Sequence, residues 1–270
     1  MDRQLIAKAN HNVTLRQKVG TAQNLYLGDA QIRGLAAGVA FTQTATIQRP
    51  ALLETCNIDS TDGEGDITNI TVAGLSLFVS DQSAALACFA SRANSAAAAK
   101  QRTIGISINN NQTVVVQGSL VAGGAVGMAV AVSPLKAENV KAPADQAHGY
   151  NFIFGMGTVL VPAGATANLV ATATRPCTLG ELVLANHSGG AIPDVDLVVE
   201  SVEVAGLEML CGATATQQIP FSALTNNSGD IQGLKLSYPI QANAQVRIRV
   251  RNFNAAACQV SGGILIEPWK

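Results

Sequence analysis

The chain has 270 residues, of which 48% are apolar and 13% charged, and its formal net charge is −1. A typical soluble domain carries about 25% charged residues, so this surface lacks the charges that keep protein molecules apart. Either much of it is buried against other copies, or the chain is a neutral, β-rich monomer. Because duplex nucleic-acid binders show a basic surplus, no sequence-specific nucleic-acid binding is expected.

Two absences bear on where the protein is made. No run of 18 apolar residues predicts a transmembrane helix, and the first 20 residues lack the apolar core of a signal peptide. We therefore expect synthesis and assembly in the cytoplasm of a cell.

The predicted elements fall into four parts along the chain. Residues 1–23 are predicted to be an N-terminal arm, and residues 24–134 hold short alternating strands separated by Gly, Pro and Asn. Within this first unit, the alanine-rich residues 84–100 favour a helix. The polar residues 135–150 are typical of an interdomain linker.

Residues 151–270 contain about eight predicted strands. The clearest has apolar and charged residues in strict alternation over 246–251. The others cover 155–161, 169–174, 182–184, 197–204 as one strand or two, 233–238 and 263–267.

The second unit repeats the first in weak matches that keep the same order. The tetrapeptide Val-Ala-Gly-Leu is identical in both units. We infer a duplicated unit, and its strand spacing predicts an all-β fold of two tandem jelly-roll-like β-sandwich domains, with an immunoglobulin-like sandwich as the alternative. The matched residues are 24–28 with 151–155, 46–50 with 172–176, 70–75 with 202–207, 110–116 with 243–249, and 127–134 with 262–268.

Residues that carry chemistry are sparse. His11, His148 and His187 lack metal-ligand spacing, and we expect His187, in a Gly-rich turn, to be exposed. No nucleophile elbow or phosphate-binding loop is present. We therefore predict no enzyme activity and no cofactor. The odd number of scattered cysteines predicts buried apolar residues and neither disulfides nor a zinc site: Cys56, Cys88, Cys177, Cys211 and Cys258.

One acidic cluster is a weak candidate for a cation site. Asp59, Asp62, Glu64 and Asp66 lie within eight residues, and Ca²⁺ binds several oxygen ligands from flexible acidic turns. The spacing does not match an EF-hand, so we expect an acidic surface loop and predict no metal site.

Three arginines share one face of a predicted strand: Arg247, Arg249 and Arg251. On a monomer they form a solvated face, and in an assembly they pair with carboxylates of a neighbouring copy or meet an anionic surface. The residues matched to them in the first unit, Val114, Val116 and Gly118, are uncharged, so the two units present different surfaces.

This organisation resembles the double jelly-roll major capsid proteins of tailless icosahedral viruses, over roughly residues 24–268. The resemblance implies a shell subunit that assembles in the host cytoplasm into a virion. Its main partners are other copies, as homotrimers that form pseudo-hexagonal capsomers, together with other virion proteins of a bacteriophage. The alternative is a two-domain binding module, such as a phage spike or lectin, although only 4% of residues are aromatic.

Overall fold

The computed structural model describes residues 23–25, 32–60, 64–89, 103–142, 153–188, 191–210, 218–221 and 234–267. Within these ranges the fold is all-β, and the helical elements are short 3₁₀ turns. The predicted β-sandwich class is therefore confirmed. Most of the predicted arm lies outside the described residues. In the described part of the chain, no helix has the length and apolar character needed to cross a membrane.

The first sandwich has two antiparallel sheets. One has the order β1–β10–β4–β8, with β2 also on β10, and the other has the order β3–β9–β5–β6, with β7 also on β5. The strands are β1 (Gln23–Leu25), β2 (Ile32–Leu35), β3 (Ala40–Thr46), β4 (Ala51–Ser60), β5 (Gly65–Val72), β6 (Leu75–Ser76), β7 (Ala84–Ala85), β8 (Thr103–Ile108), β9 (Thr113–Leu120) and β10 (Gly124–Pro134).

The second sandwich repeats this arrangement. Its sheets have the orders β11–β19–β13–β17 and β12–β18–β14–β15, with β16 also on β14. The strands are β11 (Ile153–Val161), β12 (Thr166–Thr172), β13 (Cys177–Asn186), β14 (Leu197–Val204), β15 (Leu207–Glu208), β16 (Ile219–Pro220), β17 (Leu234–Ile240), β18 (Gln245–Asn252) and β19 (Cys258–Glu267).

Both sandwiches have jelly-roll topology. When the short pairs β1/β2, β6/β7 and β15/β16 each count as one strand, the order is 1-8-3-6 in one sheet and 2-7-4-5 in the other. The turns agree as well, because Ala73 and Ala205 have φ of 51° and 49° and each precedes a glycine with positive φ. The duplicated unit thus has a structural counterpart, while the residue boundaries of the two domains stay a prediction.

Two parts of the sequence match are shifted. Asn24 corresponds to Ile153 and not to residue 151, because Asn24 pairs with Ala131 as Ile153 pairs with Leu265. The other shift, of one residue, lies in β9 and β18. Val72 pairs with Val114, and Val204 pairs with Val246, so Val114 corresponds to Val246 and not to Arg247. Because side chains alternate between faces, a one-residue slip exchanges the buried and exposed sets. The positions equivalent to the three arginines are therefore on the other face: Val115, Gln117 and Ser119.

The predicted helix over residues 84–100 is wrong at its start. Ala84–Ala85 form a short strand and Leu86–Cys88 a 3₁₀ turn, while residues 90–100 lie outside the described ranges. Ala84, Ala85 and Leu86 are fully buried. Their packing against neighbouring strands outweighs the helix propensity of alanine.

The two sandwiches meet where residues 76–83, the junction segment, leave β6 and pair with strand edges of the second sandwich. Ile153 N–H donates to Leu77 O at 2.9 Å, and Val79 N–H donates to Ile153 O at 2.9 Å. On the other sheet, Thr174 N–H donates to Val79 O at 2.9 Å and Asp81 N–H donates to Thr172 O at 3.2 Å. One segment of the first sandwich thus covers the edges of both sheets of the second.

Glycine allows this close approach. A Cβ atom on Gly155 of β11 would lie 2.2 Å from Gln82 O and 2.3 Å from Ser83 O. A Cβ on Gly263 of β19 would lie 2.7 Å from Cys88 Sγ. Glycine inside a strand commonly marks such an approach by another backbone.

We predict that Gly155→Ala uncouples the two sandwiches. The added methyl group would overlap two backbone oxygens, and overpacking of this kind costs about 1–3 kcal/mol. Urea unfolding followed by circular dichroism should show the single wild-type transition split into two. Gly74→Ala is the control, because Gly74 has φ of 84° and open space around it, so it tests backbone strain alone. The prediction would be contradicted if both variants unfolded in a single transition and lost the same unfolding free energy.

Candidate functional site

The junction is held by a guanidinium group as well as by backbone pairing. Arg175 Nη2 donates to Ser76 O at 3.0 Å and to Phe78 O at 3.5 Å. Arg175 is half-buried, and this burial lowers the pKa of its guanidinium group. The sequence analysis matched residues 46–50 with 172–176, but no pattern in the sequence indicated that Arg175 would contact the junction segment.

A polar cluster lies where β5 of the first sandwich meets β11, β13 and β19 of the second. Thr158 Oγ1 donates a short hydrogen bond to Asp66 Oδ2. His187 Nε2 lies 2.5 Å from Ser261 Oγ. His187 is only 8% exposed and Ser261 is fully buried. The expectation that His187 is exposed was therefore wrong, since its ring is buried beside Ser261 and lies near Asp66 and Glu64 of the first sandwich.

Electrostatics link these groups across the junction. Burial lowers the pKa of His187, and the carboxylates of Asp66 and Glu64 in the first sandwich act in the opposite direction. Burial also raises the pKa of Cys258 to about 11, and its Sγ lies 2.8 Å from Asn186 Oδ1. The cluster thus keeps a neutral imidazole and a neutral thiol beside two carboxylates.

The structure separates the residues of the predicted acidic loop. Asp59 belongs to β4, Asp66 belongs to β5, and Glu64 immediately precedes β5. Asp62 lies outside the described residues. Among the described residues, no three His, Cys, Asp or Glu side chains come together in a way that could hold a metal ion. Asp66 contributes to the junction, where Thr158 is its partner.

The three arginines of β18 face outward and pair within their own sheet. Arg249 Nε lies 3.0 Å from Glu200 Oε2, and Arg251 Nη1 lies 3.4 Å from Glu200 Oε1. Arg247 Nη1 lies 3.4 Å from Glu203 Oε2. The predicted strand with one apolar and one charged face is confirmed. An assembly role for these arginines stays a prediction.

The cysteines behave as small apolar residues where they are described. Four of them are buried, as the sequence predicted, and Cys211 lies outside the described residues. The buried cysteines are Cys56, Cys88, Cys177 and Cys258.

The outer sheet faces of the two sandwiches differ in charge. On the first, the exposed side chains of β3 are Ala40, Thr42, Thr44 and Thr46. On the second, Arg251 stacks on the half-exposed ring of Phe253, with its guanidinium carbon 4.8 Å from the ring centre. In the equivalent central strands, the outward positions of β9 are thus uncharged, whereas those of β18 carry arginines.

Comparison with known proteins gives only distant similarity of fold. No protein-family model matches the sequence, and no curated protein matches it significantly. A crystal structure of a peptide-N(4)-(N-acetyl-β-D-glucosaminyl) asparagine amidase aligns with 91% of this chain and 96% of its own, at a TM-score of 0.34 and 7% identity. The major capsid protein P2 of bacteriophage PM2 aligns with 93% of this chain and 98% of its own, at a TM-score of 0.30 and 10% identity.

The prediction that the chain is not an enzyme was wrong, because enzymes occur among the proteins that this fold resembles. One of the two structures named above is an amidase, which is an enzyme. At a TM-score of 0.34 this similarity assigns no reaction and no catalytic residue to the chain. The phage capsid protein is a neighbour at the same weak level, so both similarities describe fold only.

We predict that His187 makes stability depend on pH. Its folded pKa lies below its ordinary value of about 6.5, so the unfolded chain takes up the proton first as the pH falls. The stability that neutral His187 provides is complete above about pH 6.5 and is lost as the pH falls towards the folded pKa. Urea unfolding at a series of pH values should show this loss in the wild type and a shallower loss in His187→Gln. Ser261→Ala is the control, because it removes the hydrogen bond and keeps the titrating ring. Equal slopes for wild type and His187→Gln would refute the prediction.

We predict that Arg249→Ala costs less than about 1 kcal/mol of unfolding free energy, because exposed ion pairs contribute little. Asn168→Ala is the matched control, since Asn168 lies opposite Arg249 on β12 and is exposed. The small difference between the two variants should vanish in about 1 M salt, where the screening length is roughly 3 Å. A loss above 2 kcal/mol that survives in salt would contradict this.

Proposed function

We propose that the chain is a self-assembling shell subunit, a major capsid protein of bacteriophage type, in which three copies form a pseudo-hexagonal capsomer. The observation that carries this proposal is the presence of two jelly rolls with the same strand order in one chain, joined by a backbone-paired junction. Three such chains would place six similar units around one axis.

A rigid junction is what this use of two domains requires. Six units imitate six-fold symmetry only if the angle between the two units of each chain is fixed. Backbone hydrogen bonds on two sheets, the Arg175 contact and the packing of Gly155 all restrain that angle. Interfaces between domains that lack such restraints normally permit relative motion.

Surface chemistry supports association between copies. Only 13% of the residues are charged, and the outward face of β3 is uncharged. Such faces desolvate at lower cost than charged ones. In a lattice, each contact is modest, and symmetry multiplies it.

The proposed shell subunit has defined domains, partners and a location. The domains would span 24–134 and 151–270, with an arm at 1–23 and a linker at 135–150. Partners would be other copies and further virion proteins, and the location would be the virion after assembly in the host cytoplasm. Arg247, Arg249 and Arg251 would take part in contacts between copies.

Purified full-length protein should behave as a trimer or larger in size-exclusion chromatography with light scattering, against a chain mass of 27.8 kDa. Negative-stain electron microscopy should show regular tiles or particles. A protein that stays monomeric at high concentration would overturn the proposal. If that monomer were also retained on an immobilised-sugar column, the binding-module alternative would be favoured.

A further inference from the structure

The two sandwiches differ at one pair of edges. In the second, β11 and residues 172–174 are covered by the junction segment. In the first, β1 and β3 end their sheets, and no described residue pairs with their outer edges. Asn24 of β1 lies opposite Ala131 of β10, as Ile153 of β11 lies opposite Leu265 of β19. As far as the described residues go, the first sandwich thus has an open copy of the edge that is closed in the second.

Arg49 occupies the position of Arg175 on this open edge. Ile47 N–H donates to Gln112 O and Ala173 N–H donates to Ala244 O, both at 2.9 Å, so residues 46–50 and 172–176 make equivalent turns. Arg175 donates to carbonyl groups of the junction segment. Arg49 is exposed, and among the described residues it has no hydrogen-bond or ion-pair partner.

The second sandwich also carries a copy of the start of the junction segment. Leu77 N–H donates to Ile70 O at 2.8 Å, and Met209 N–H donates to Val202 O at 2.7 Å. Glu208 and Leu210 are therefore the equivalents of Ser76 and Phe78, whose carbonyl groups accept from Arg175. Glu208 is exposed, and Met209 and Leu210 are half-buried, so the stretch lies at the surface of the second sandwich.

We propose that Glu208–Leu210 of one copy docks on the open edge of a second copy, formed by β1 and residues 46–49, and that Arg49 donates to the carbonyl groups of Glu208 and Leu210. The occupant is a second copy of this chain, because the chain itself contains the same contact between equivalent residues. The inference rests on the proposed function, since it requires copies to associate.

The geometry of such a contact is head to tail. Each copy offers one open edge on its first sandwich and one docking stretch on its second, and these surfaces are different. Contacts of this heterologous kind close into rings or continue as filaments. In a closed trimer, three junctions within chains would alternate with three similar contacts between chains.

The first test replaces Arg49. Arg49→Glu should abolish the trimer in size-exclusion chromatography with light scattering, because a carboxylate repels carbonyl oxygens. Arg49→Lys should weaken association by about ten-fold or more, since a lysine cannot reproduce the forked donation of a guanidinium. Arg33→Glu, at an exposed arginine of β2, is the control and should leave the trimer intact. Thermal unfolding of each variant checks that it folds.

The second test uses a disulfide between copies. Phe78 and Ile153 form a bridge within the chain, and their equivalents are Leu210 and Asn24. With Cys211→Ser in every variant, Asn24→Cys with Leu210→Cys should give covalent dimers and trimers after oxidation, whereas either single variant should not. The pair Phe78→Cys with Ile153→Cys should cross-link within one chain only.

The outcomes separate this inference from the proposed function. Trimers that persist in Arg49→Glu, without cross-linked oligomers in the double variant, would overturn the inference and leave the shell proposal standing. A wild type that stays monomeric would overturn both.

Discussion

An open β-sandwich ends in edge strands whose backbone N–H and C=O groups have no partner in their own sheet. In this chain, residues 77–81 supply partners for two such edges at once, on β11 and at residues 172–174. Each hydrogen bond contributes about 1 kcal/mol, but a buried donor left without a partner costs more than that. The pairing therefore fixes where the second sandwich lies relative to the first. The contacts of Arg175 with Ser76 and Phe78 and the hydrogen bond from Thr158 to Asp66 join the two surfaces that this pairing brings together.

The close approach of the junction segment to the second sandwich leaves little room for side chains. This explains why small residues occur in the strands involved. Ile153, Phe154 and Met156 are buried on both sides of β11, while the residue between them, Gly155, leaves room for a crossing backbone. Alanine on the other side of the interface has the same effect, since Ala84 would lie 3.3 Å from a Cβ on Gly263. The junction thus accounts for part of the high content of Ala and Gly in the sequence, because small residues are needed where the two backbones approach. A reading based on propensity treats the same alanines as helix formers, and for Ala84 and Ala85 that reading failed.

Local patterns in the sequence were enough to predict the strands and the duplicated sandwich class, because alternation and turn residues are properties of short segments. β18, with Val246, Ile248 and Val250 buried between outward arginines, is the clearest case. The number of strands favoured a jelly roll, and the strand order agrees with it. The junction could not be predicted, since it depends on contacts between distant residues. The slip that matched Val114 with Arg247 shows the limit of a weak repeat: one residue of misalignment exchanges the faces. His187 was misjudged for a related reason, because the sequence of its turn does not show which distant residues, such as Ser261 and Asp66, lie beside it.

Residues that the fold requires are the same in the two units, whereas residues on exposed surfaces differ between them. Ala73-Gly74 and Ala205-Gly206 agree because both turns need positive φ at two consecutive positions. At the positions equivalent to Arg247, Arg249 and Arg251, the first sandwich carries Val115, Gln117 and Ser119. An exposed sheet face tolerates either set. Arg49 and Arg175 belong to neither group. The contact that accounts for Arg175 lies within the chain, whereas Arg49 has no counterpart of it among the described residues. An arginine that shares the position but not the partner is explained most simply by a partner in a second molecule.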